Sequence, residues 1–353
     1  MLDSLLLRVD GSARIGTGHV MRCFALAQAW QFAGGRAVFA FAESTPALER
    51  RLNGEKMKVE LLQADAGSRL DAEKTAALAK RYDCAWVVVD GYQFESEFQR
   101  ILKQAGLRVL AVDDYGHAGR YYADVVLNQN LHASDSYYRN RDPLTRLLLG
   151  PDYVQLRREF PSWRNWQREI PSTGRKLLVT LGGSDPDNST AKVLEALSLL
   201  GENSLEAVVA VGGSNPHYEK LLAQAGALPM PVQVERDVPR MDKWMAWADA
   251  AVSSGGTTVW ELAFMGLPSI IGQIGPSEEK LVAGLAKLDL FTRLGWFREA
   301  SPQQIASALS GLLRDAELRD RMSRKARALI DGRGTERVIA LLRRTSGSRK
   351  KKD

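Results

Sequence analysis

Short apolar runs alternate with helix-like segments through most of this chain, and this alternation constrains the fold more than any other feature. Apolar runs of roughly four to eight residues are typical of buried strands, whereas apolar residues spaced about 3.6 positions apart indicate helices. Their alternation predicts right-handed βαβ units around a parallel sheet. In the first half the predicted strands lie near 4–10, 36–42, 57–62, 85–90, 107–113 and 124–128, and the predicted helices include 18–33, 70–81 and 94–105.

A second series of the same kind begins at 176–181, after a polar, aromatic segment at 160–174 that contains two prolines. We interpret that segment as an interdomain connection, since 353 residues are enough for two domains. The predicted fold class is α/β and resembles the GT-B architecture, in which two Rossmann-like doubly wound domains face each other across a cleft. In the second series the strands are expected near 205–211, 231–235, 249–253 and 268–272, and the last helices near 302–314, 316–330 and 335–345.

These patterns also predict domain boundaries. The first Rossmann-like domain is expected over 1–158, the linker over 159–174 and the second Rossmann-like domain over 175–334. A terminal helix over 335–347 is expected to pack back on the first domain, and the basic tail 348–353 is expected to be disordered. That tail supplies half of the net charge of +6, so the rest of the chain has little excess charge.

Composition argues against several classes of protein. No apolar run approaches the roughly 20 residues that span a bilayer, and the N-terminus lacks the basic and apolar regions of a signal peptide. Two cysteines are too few for a disulfide framework; Cys84 is expected in the core, and Cys23 either in the core or lining a site. No aromatic-interleaved basic stripe and no zinc-type spacing of cysteine and histidine occur. We therefore expect a cytoplasmic enzyme with no nucleic-acid partner and no membrane partner.

The turn after the first predicted strand combines glycines with a histidine. Gly16 and Gly18 allow the backbone to approach a ligand closely, and the helix that follows presents free N–H groups to an anion. His19 stands at the start of this helix and is the side chain best suited to proton transfer near neutral pH. The spacing is not that of the dinucleotide fingerprint. The turn indicates chemistry on a bound anion, and the alternative is a capping or solvated histidine.

A second glycine turn opens the second series at 181–190. Gly182 and Gly183 end a strand, and Asp187 or Asn188 can cap the next helix. The sequence Asp185-Pro-Asp187 also has the D-x-D form of a metal–diphosphate site, but its place in a capping loop favours capping. We therefore predict no metal and no cofactor.

A third glycine turn lies in 253–268. A strand runs into Gly255-Gly256, and a helix is expected to start at about Thr257 and to end by Gly266. Backbone N–H groups at Gly256 to Thr258 can hold a diphosphate, and Glu261 can accept hydrogen bonds from ribose hydroxyls. The alternative for Glu261 is an ordinary surface glutamate.

Residues 8–23 fill the pattern R-x-D-x-S-x-x-I-G-x-G-H-x-M-R-C completely, and in this the chain resembles the PseG family. Members of that family hydrolyse UDP-2,4-diacetamido-2,4,6-trideoxy-β-L-altrose in pseudaminic acid biosynthesis and are similar in fold to the MurG glycosyltransferase. The resemblance implies inversion at the anomeric carbon, release of UDP and no metal. Further matching segments are 87–92, 112–114, 148–153, 182–188, 213–217 and 255–258 with Glu261.

The resemblance also implies roles for single residues. His19 would be the base that activates water, Tyr92 would lie near the sugar as the second catalytic residue, and a UDP-sugar would be the partner. The oligomeric state stays open, and a monomer fits the sequence. The residues expected to bind substrate are Arg8, Asp10, Gly16, Gly18, Arg22, Asp114, Gly183, Ser254, Gly255, Gly256, Thr257, Thr258, Glu261, Ser277 and Glu278.

Two positions depart from the family. Its Asp-His-Tyr is Asp90-Gly91-Tyr92 here, and its Asn-Gln is Ser277-Glu278. An ionised Glu278 only accepts hydrogen bonds, so we expect it to face sugar hydroxyls or amides, or a cation, rather than a diphosphate. Because of these departures, a hydrolase that acts on a related UDP-diacetamido sugar is one alternative function. A glycosyltransferase with a UDP-sugar donor and a non-catalytic sugar-nucleotide binding protein are further alternatives.

Several polar residues near strand ends have more than one interpretation. Asp10, Asp113 and Asp114 could contact the sugar or cap turns. The segment 128–130 could take part in a cleft. Loop-like neighbours predict that three further histidines are solvated, namely His117, His132 and His217.

Overall fold

The computed structural model describes residues 3–12, 15–201 and 205–346, and the predicted tail 348–353 lies outside the described residues. The chain forms two compact units. The first comprises the described residues of Met1–Ile15, His19–Arg158 and Gly332–Asp353; the second comprises Gly16–Gly18 and those of Glu159–Asp331. No helix in the described ranges is long and apolar enough to cross a membrane.

The first unit is built on a seven-stranded parallel sheet in the order β3-β2-β1-β4-β5-β6-β7. Leu5 and Leu7 of the first strand belong to one buried apolar cluster and Leu6 to another, because successive side chains point to opposite faces. The strands are β1 Ser4–Val9, β2 Arg36–Phe41, β3 Lys58–Leu61, β4 Cys84–Asp90, β5 Val109–Val112, β6 Val125–Asn128 and β7 Arg146–Leu149, and the helices are α1 Gly18–Phe32, α2 Pro46–Gly54, α3 Arg69–Arg81 and α4 Ser96–Gln104.

The second unit has a six-stranded parallel sheet in the order β10-β9-β8-β11-β12-β13. Its strands are β8 Lys176–Thr180, β9 Glu206–Val211, β10 Val232–Arg236, β11 Ala250–Ser254, β12 Ser269–Gln273 and β13 Thr292–Trp296. Its helices are α5 Ser189–Leu200, α6 Tyr218–Gly226, α7 Met241–Trp247, α8 Thr258–Phe264, α9 Glu279–Lys287, α10 Pro302–Arg314 and α11 Ala316–Leu329.

The predicted α/β class with two doubly wound parallel sheets is confirmed, and so are the eleven strands expected from the apolar runs. Two strands were not predicted. β7 has only three apolar residues after Arg146, and β13 has Gly295 and is only partly buried, so neither has the apolar run of four or more residues on which the predictions rested. In both sheets the strand order reverses beside the first strand of the unit, between β1 and β4 and between β8 and β11. Ligands of such sheets bind outside the carboxyl ends of the strands at this switch point.

The last helix, α12 Gly334–Ser346, belongs to the first unit. Val338, Ile339 and Leu342 are buried in the same apolar cluster as β1. The indole N–H of Trp86 donates to the backbone oxygen of Leu342 at 3.1 Å. The chain therefore returns to its first sheet after completing the second.

The segment 160–174 packs within the second unit. The Trp163 indole N–H donates to Asp242 at 2.8 Å, and the Arg168 guanidinium donates to the backbone oxygens of Met245 and Ala248. Phe160 makes an edge-on contact with Phe264. These contacts place Phe160, Trp163 and Arg168 against α7 and α8.

Candidate functional site

The switch point of the first sheet brings the end of β4 to the start of α1. β1 and β4 are parallel neighbours, so the loops that follow them meet at one edge of the sheet. His19 and Arg22 lie three positions apart in the first turns of α1 and thus on one face. Both reach Asp90, the last residue of β4: His19 Nδ1 lies 2.6 Å from Oδ1, and Arg22 Nε donates to Oδ2 at 2.7 Å.

The charge of Asp90 decides where His19 holds its proton. Burial alone would raise the pKa of Asp90, but the Arg22 guanidinium and the His19 ring together lower it below its ordinary value. An ionised carboxylate cannot donate, so the 2.6 Å contact requires the proton on Nδ1 of His19. When the ring is neutral, its lone pair is then on Nε2, on a side chain that is 18% exposed. This is the arrangement that a general base needs.

Arg22 joins two carboxylates. Besides Asp90 it binds Asp114, with Nη1 donating to Oδ1 at 2.7 Å and Nη2 to Oδ2 at 3.1 Å. Only 4% of its side chain is exposed. The donors of Arg22 are thus used by two carboxylates, buried Asp90 and partly exposed Asp114, which it holds beside His19.

Asp114 connects this network to an aromatic group. The Tyr92 hydroxyl donates to Asp114 Oδ2 at 3.0 Å, and Asn130 donates to Oδ1 at 2.8 Å. Burial would raise the pKa of Asp114, but the Arg22 guanidinium holds it well below its usual range. Burial and the Asp114 charge raise the pKa of Tyr92, so its phenol stays protonated and donates. The Tyr92 ring meets the His19 ring edge-on at 5.2 Å, so the two residues expected to be catalytic are in contact.

Sequence reasoning missed part of this cluster. Asp90 is part of the matching segment 87–92, but no role was predicted for it. An acidic residue that ends the strand next to β1 could have indicated a partner for His19. His117 is 9% exposed rather than solvated, with Nδ1 2.8 Å from Asp113 Oδ2 and its ring edge-on to Tyr92. The prediction that His117 is solvated is therefore wrong. His132 and His217 are half-buried, each with Nε2 near a backbone oxygen.

The two acidic residues after β5 have different roles. Asp113 accepts from the backbone N–H groups of Tyr115 and Gly116 at 2.7 and 2.6 Å and from the Tyr121 hydroxyl, so it caps a turn. Asp114 faces Arg22 and keeps 16% of its side chain exposed. Of the two, only Asp114 has surface with which to contact a ligand.

Arg8 and Asp10 form a buried structural cluster, and the prediction that they contact substrate is wrong. Arg8 is 0% exposed; its Nε and Nη2 each donate to Asp71 at 2.8 Å, and Nη1 donates to Asp10 at 2.7 Å. Asp10 also accepts from the backbone N–H groups of Ala42 and Glu43. Neither side chain has surface for a ligand, so together they tie β1 to α3 and to the end of β2.

The glycines of the two predicted turns lie in the loops that follow β1 and β8. Gly16 has a positive φ of 85° and Gly18 is the first residue of α1; both are half-buried. Gly183 is half-buried in the turn after β8. Gly182, with φ of 82°, lies so that an added Cβ would be 3.7 Å from Ser254 Oγ. The loops after β8 and β11 therefore meet at the switch point of the second sheet.

The D-x-D sequence is part of a helix cap. Asp185 accepts from the backbone N–H groups of Ser189 and Thr190, both at 2.8 Å. The capping residue is thus Asp185, not Asp187 or Asn188; Asn188 has φ of 52° and makes no side-chain cap. Among the described residues no group of three histidine, cysteine or acidic side chains is placed to hold a metal ion.

The loop after β11 leads into α8, which begins at Thr258 and is followed by Gly266 with a positive φ of 57°, as predicted. Ser254 and Gly255 are buried, and Gly256 is half-buried. Thr257, Thr258 and Glu261 are half-buried, whereas Val259, Trp260 and Leu262 face the core. One partly exposed edge of this loop and helix therefore carries four of the residues expected to hold UDP, namely Gly256, Thr257, Thr258 and Glu261.

Glu278 lies on the loop after β12, and its carboxyl group accepts hydrogen bonds from backbone N–H groups. It ends a short 3-10 turn, Pro276–Glu278, and Oε2 accepts from the Ile274 backbone N–H at 2.8 Å. Burial raises the pKa of Glu278 to about 7, and hydrogen bonds from the backbone of Ile274, Gly255 and Gly275 oppose the rise. The carboxyl thus faces backbone donors of the third glycine turn instead of a cation. Ser277 is exposed.

Part of this chain is similar to a glycosyltransferase domain. Residues 177–273 match the glycosyltransferase family 28 C-terminal domain. The uncharacterized protein MJ1062 of Methanocaldococcus jannaschii is 24% identical over 268 residues, which cover 74% of this chain and 54% of that protein. The spore coat polysaccharide biosynthesis protein SpsG of Bacillus subtilis is 27% identical over 199 residues, 56% of this chain and 58% of that protein. The chain thus spans little more than half the length of these two relatives.

A third relative is named for the activity that the resemblance of residues 8–23 implied. The UDP-2,4-diacetamido-2,4,6-trideoxy-beta-L-altropyranose hydrolase of Campylobacter jejuni is 25% identical over 222 residues, 62% of this chain and 72% of that protein. Among solved structures, MurG of Acinetobacter baumannii has a TM-score of 0.62 at 17% identity and covers 97% of this chain and 100% of its own. Anabaena Alr3699/HepE in complex with UDP and glucose has a TM-score of 0.60 at 14% identity over 97% of this chain and 99% of its own. The chain has the GT-B fold.

Replacement of Asp71 tests the structural role of Arg8. Asp71→Ala is expected to lower the free energy of unfolding by about 3–5 kcal/mol, because it leaves the guanidinium buried without its bidentate partner. Glu73→Ala is the matched control on α3, since the ion pair of Glu73 with Arg69 is exposed and should matter little. Urea denaturation measures both. Equal stability of the two variants would contradict a structural role for the buried pair.

Proposed function

We propose that this protein is a metal-independent, inverting hydrolase of a UDP-linked 2,4-diacetamido-2,4,6-trideoxyhexose in pseudaminic acid biosynthesis. The observation that carries the proposal is the His19–Asp90 pair at the switch point of the first sheet, with Nε2 of His19 left as a free base. The Campylobacter jejuni relative supports the substrate class, and the family 28 match supports a nucleotide-sugar site in the second unit.

In this reaction His19 activates water. Nε2 takes one proton from the water, whose oxygen forms a bond to the anomeric carbon on the face opposite UDP. The bond from that carbon to the diphosphate oxygen breaks, and its electron pair leaves with UDP. Asp90 stabilises the imidazolium that forms and keeps the proton of His19 on Nδ1. Tyr92 and Asp114 present a hydroxyl and a partly exposed carboxylate beside His19, where they orient the sugar.

The leaving group needs stabilisation rather than protonation, because a nucleoside diphosphate is already a good leaving group. Backbone N–H groups at Gly256 to Thr258 hold the diphosphate in this proposal, as fixed donors that stabilise charge developing in the transition state. Glu261 lies one turn into α8 on the same partly exposed edge, where its carboxylate accepts from the ribose hydroxyls. No step calls for a metal ion.

A glycosyltransferase with the same donor is the second candidate, and the family 28 match of 177–273 favours it. The two candidates differ only in whether water or a sugar hydroxyl attacks. A hydrolase for a related UDP-diacetamido sugar is a variant of the first candidate, and Gly91 and Ser277-Glu278 are the positions that favour it.

Release of UDP without an acceptor separates these candidates. The protein is incubated with a panel of UDP-sugars that includes UDP-2,4-diacetamido-2,4,6-trideoxy-β-L-altrose, with and without EDTA, and UDP and the anomer of the free sugar are followed by NMR. We expect UDP and the inverted sugar at equal rates in both conditions. A reaction that needs an added sugar acceptor would favour the transferase, and one that EDTA abolishes and magnesium restores would contradict metal independence.

Replacement of His19 tests the base. His19→Asn should lower the turnover number by roughly 10²–10⁴, the usual contribution of a positioned proton transfer, while UDP still binds. His217→Asn is the control, because His217 lies in the second unit beside the backbone oxygen of Pro186. Steady-state rates and UDP calorimetry measure both variants. Near-normal turnover of a folded His19→Asn protein would remove His19 from the mechanism.

Replacement of Glu261 tests the ribose contact. Glu261→Ala should weaken UDP binding by about 1–3 kcal/mol, because the ribose hydroxyls lose a charged acceptor. The control is 2′,3′-dideoxy-UDP, which lacks those hydroxyls and should bind the native protein and the variant equally. Calorimetry with both ligands isolates the contact. An equal loss for the two ligands would place the effect of Glu261 elsewhere than on the ribose.

A further inference from the structure

Glu278 is packed directly on the glycines of the loop after β11. A Cβ added to Gly255 would lie 3.0 Å from Glu278 Cβ and 3.4 Å from Oε2, and one added to Gly256 would lie 3.5 Å from Oε1. A side chain at Gly255 would crowd both Val282 and Glu278, whereas one at Gly256 would meet the carboxyl group at an ordinary contact distance. Its hydrogen-bond partners are backbone N–H groups of Ile274, Gly255 and Gly275. The carboxyl group therefore already occupies one donor, the Gly255 N–H, of the loop at which we place the diphosphate.

A bound diphosphate and an ionised Glu278 would oppose each other at this loop. Two like charges a few ångströms apart in a partly buried site repel strongly. Withdrawal of the side chain is restricted, because the turn that carries Glu278 leads straight into α9, where Leu281, Val282 and Leu285 are buried. Val282 itself lies against Gly255. Loss of the charge requires no such rearrangement.

A protonated Glu278 would suit a diphosphate. A carboxylic acid has one O–H donor and keeps acceptor capacity, so it can bind a phosphate oxygen and still accept from the Ile274 N–H. Its shape is close to that of the glutamine that the resembling family has at this position, although it has one O–H donor where the amide has two N–H donors. The change from glutamine to glutamate thus preserves the contact in one protonation state only.

Few other charges act on this carboxyl group within the second unit. The loop 253–257 contains no ionisable side chain, and neither does the stretch 274–277. On α8 the ionisable residue is Glu261, one turn in. On α9 the first turn carries Glu279 and Lys280, both exposed. On the loop after β8, Asp185 is turned to the start of α5.

We propose that binding of the UDP diphosphate at this loop is coupled to the uptake of one proton by Glu278, which then donates a hydrogen bond to a phosphate oxygen. The inference rests on the proposed function, since it takes UDP as the ligand of the second unit. Burial already raises the pKa of Glu278 to about 7, so the proton costs little near neutral pH. UDP affinity should be constant below that pH and fall by roughly tenfold for each pH unit above it, because the group must be protonated again to bind.

Calorimetry with UDP counts the proton directly. Titrations at about pH 8 in two buffers of different ionisation enthalpy give the number of protons taken up. At this pH the second ionisation of a phosphate, whose pKa is about 6, contributes little. We expect close to one proton for the native protein and for Glu279→Gln, the exposed neighbour, and close to none for Glu278→Gln. Affinity measured from pH 7 to 9 should fall for the first two and stay level for Glu278→Gln.

The outcomes separate this inference from the proposed function. No UDP binding by the native protein at any pH would overturn both. UDP binding without proton uptake, or uptake that persists in Glu278→Gln, would overturn the coupling alone and leave the hydrolase proposal standing. Glu278→Ala is a second variant that removes the proton site, for use if Glu278→Gln does not fold. Thermal unfolding of each variant checks that the fold is intact.

Discussion

The buried carboxylate of Asp90 is the interaction on which the first half of the candidate site depends. It lies at the end of β4 and receives Arg22 and His19 from the start of α1, so it joins the two elements that flank the switch point. A charge in this position is stable only because Arg22 supplies an opposite one. Arg22 in turn holds Asp114, and Asp114 holds Tyr92. The geometry of His19 thus depends on a chain of buried charges.

The second unit treats negative charge differently. Its switch-point loops offer backbone N–H groups in place of arginines, and in the described residues a carboxyl group of the chain already lies on them. Backbone donors are fixed by the fold and need no side-chain ordering when a ligand arrives. In the proposed function the first unit supplies the proton-transfer site and the second supplies the anion site, whose charge the proposed proton uptake adjusts.

This difference between the two units explains why the fold alone does not identify the reaction. Proteins with this fold share the two switch points, and the likeness to solved structures at 14–17% identity shows architecture only. What distinguishes a hydrolase from a transferase is the group that occupies the space beside the base. That difference lies in local contacts around His19 and Tyr92, which is why an assay without an acceptor is more decisive than any further structural likeness.

The sequence by itself determined the alternation of strands and helices, the two doubly wound sheets and the glycine turns, because apolar periodicity and glycine conformation are local properties. It also singled out His19, since a histidine after two glycines is visible in one short segment. Only the tertiary structure decided which charges meet. Arg8 and Asp10 match the pattern as well as His19 does, yet they are buried, because Asp71 arrives from a helix about sixty residues away. Asp90 and Glu278 acquired their roles in the same way, through contacts between segments that are distant along the chain or separated by a turn. Burial and pairing of charge depend on such contacts, and no pattern along the chain contains them.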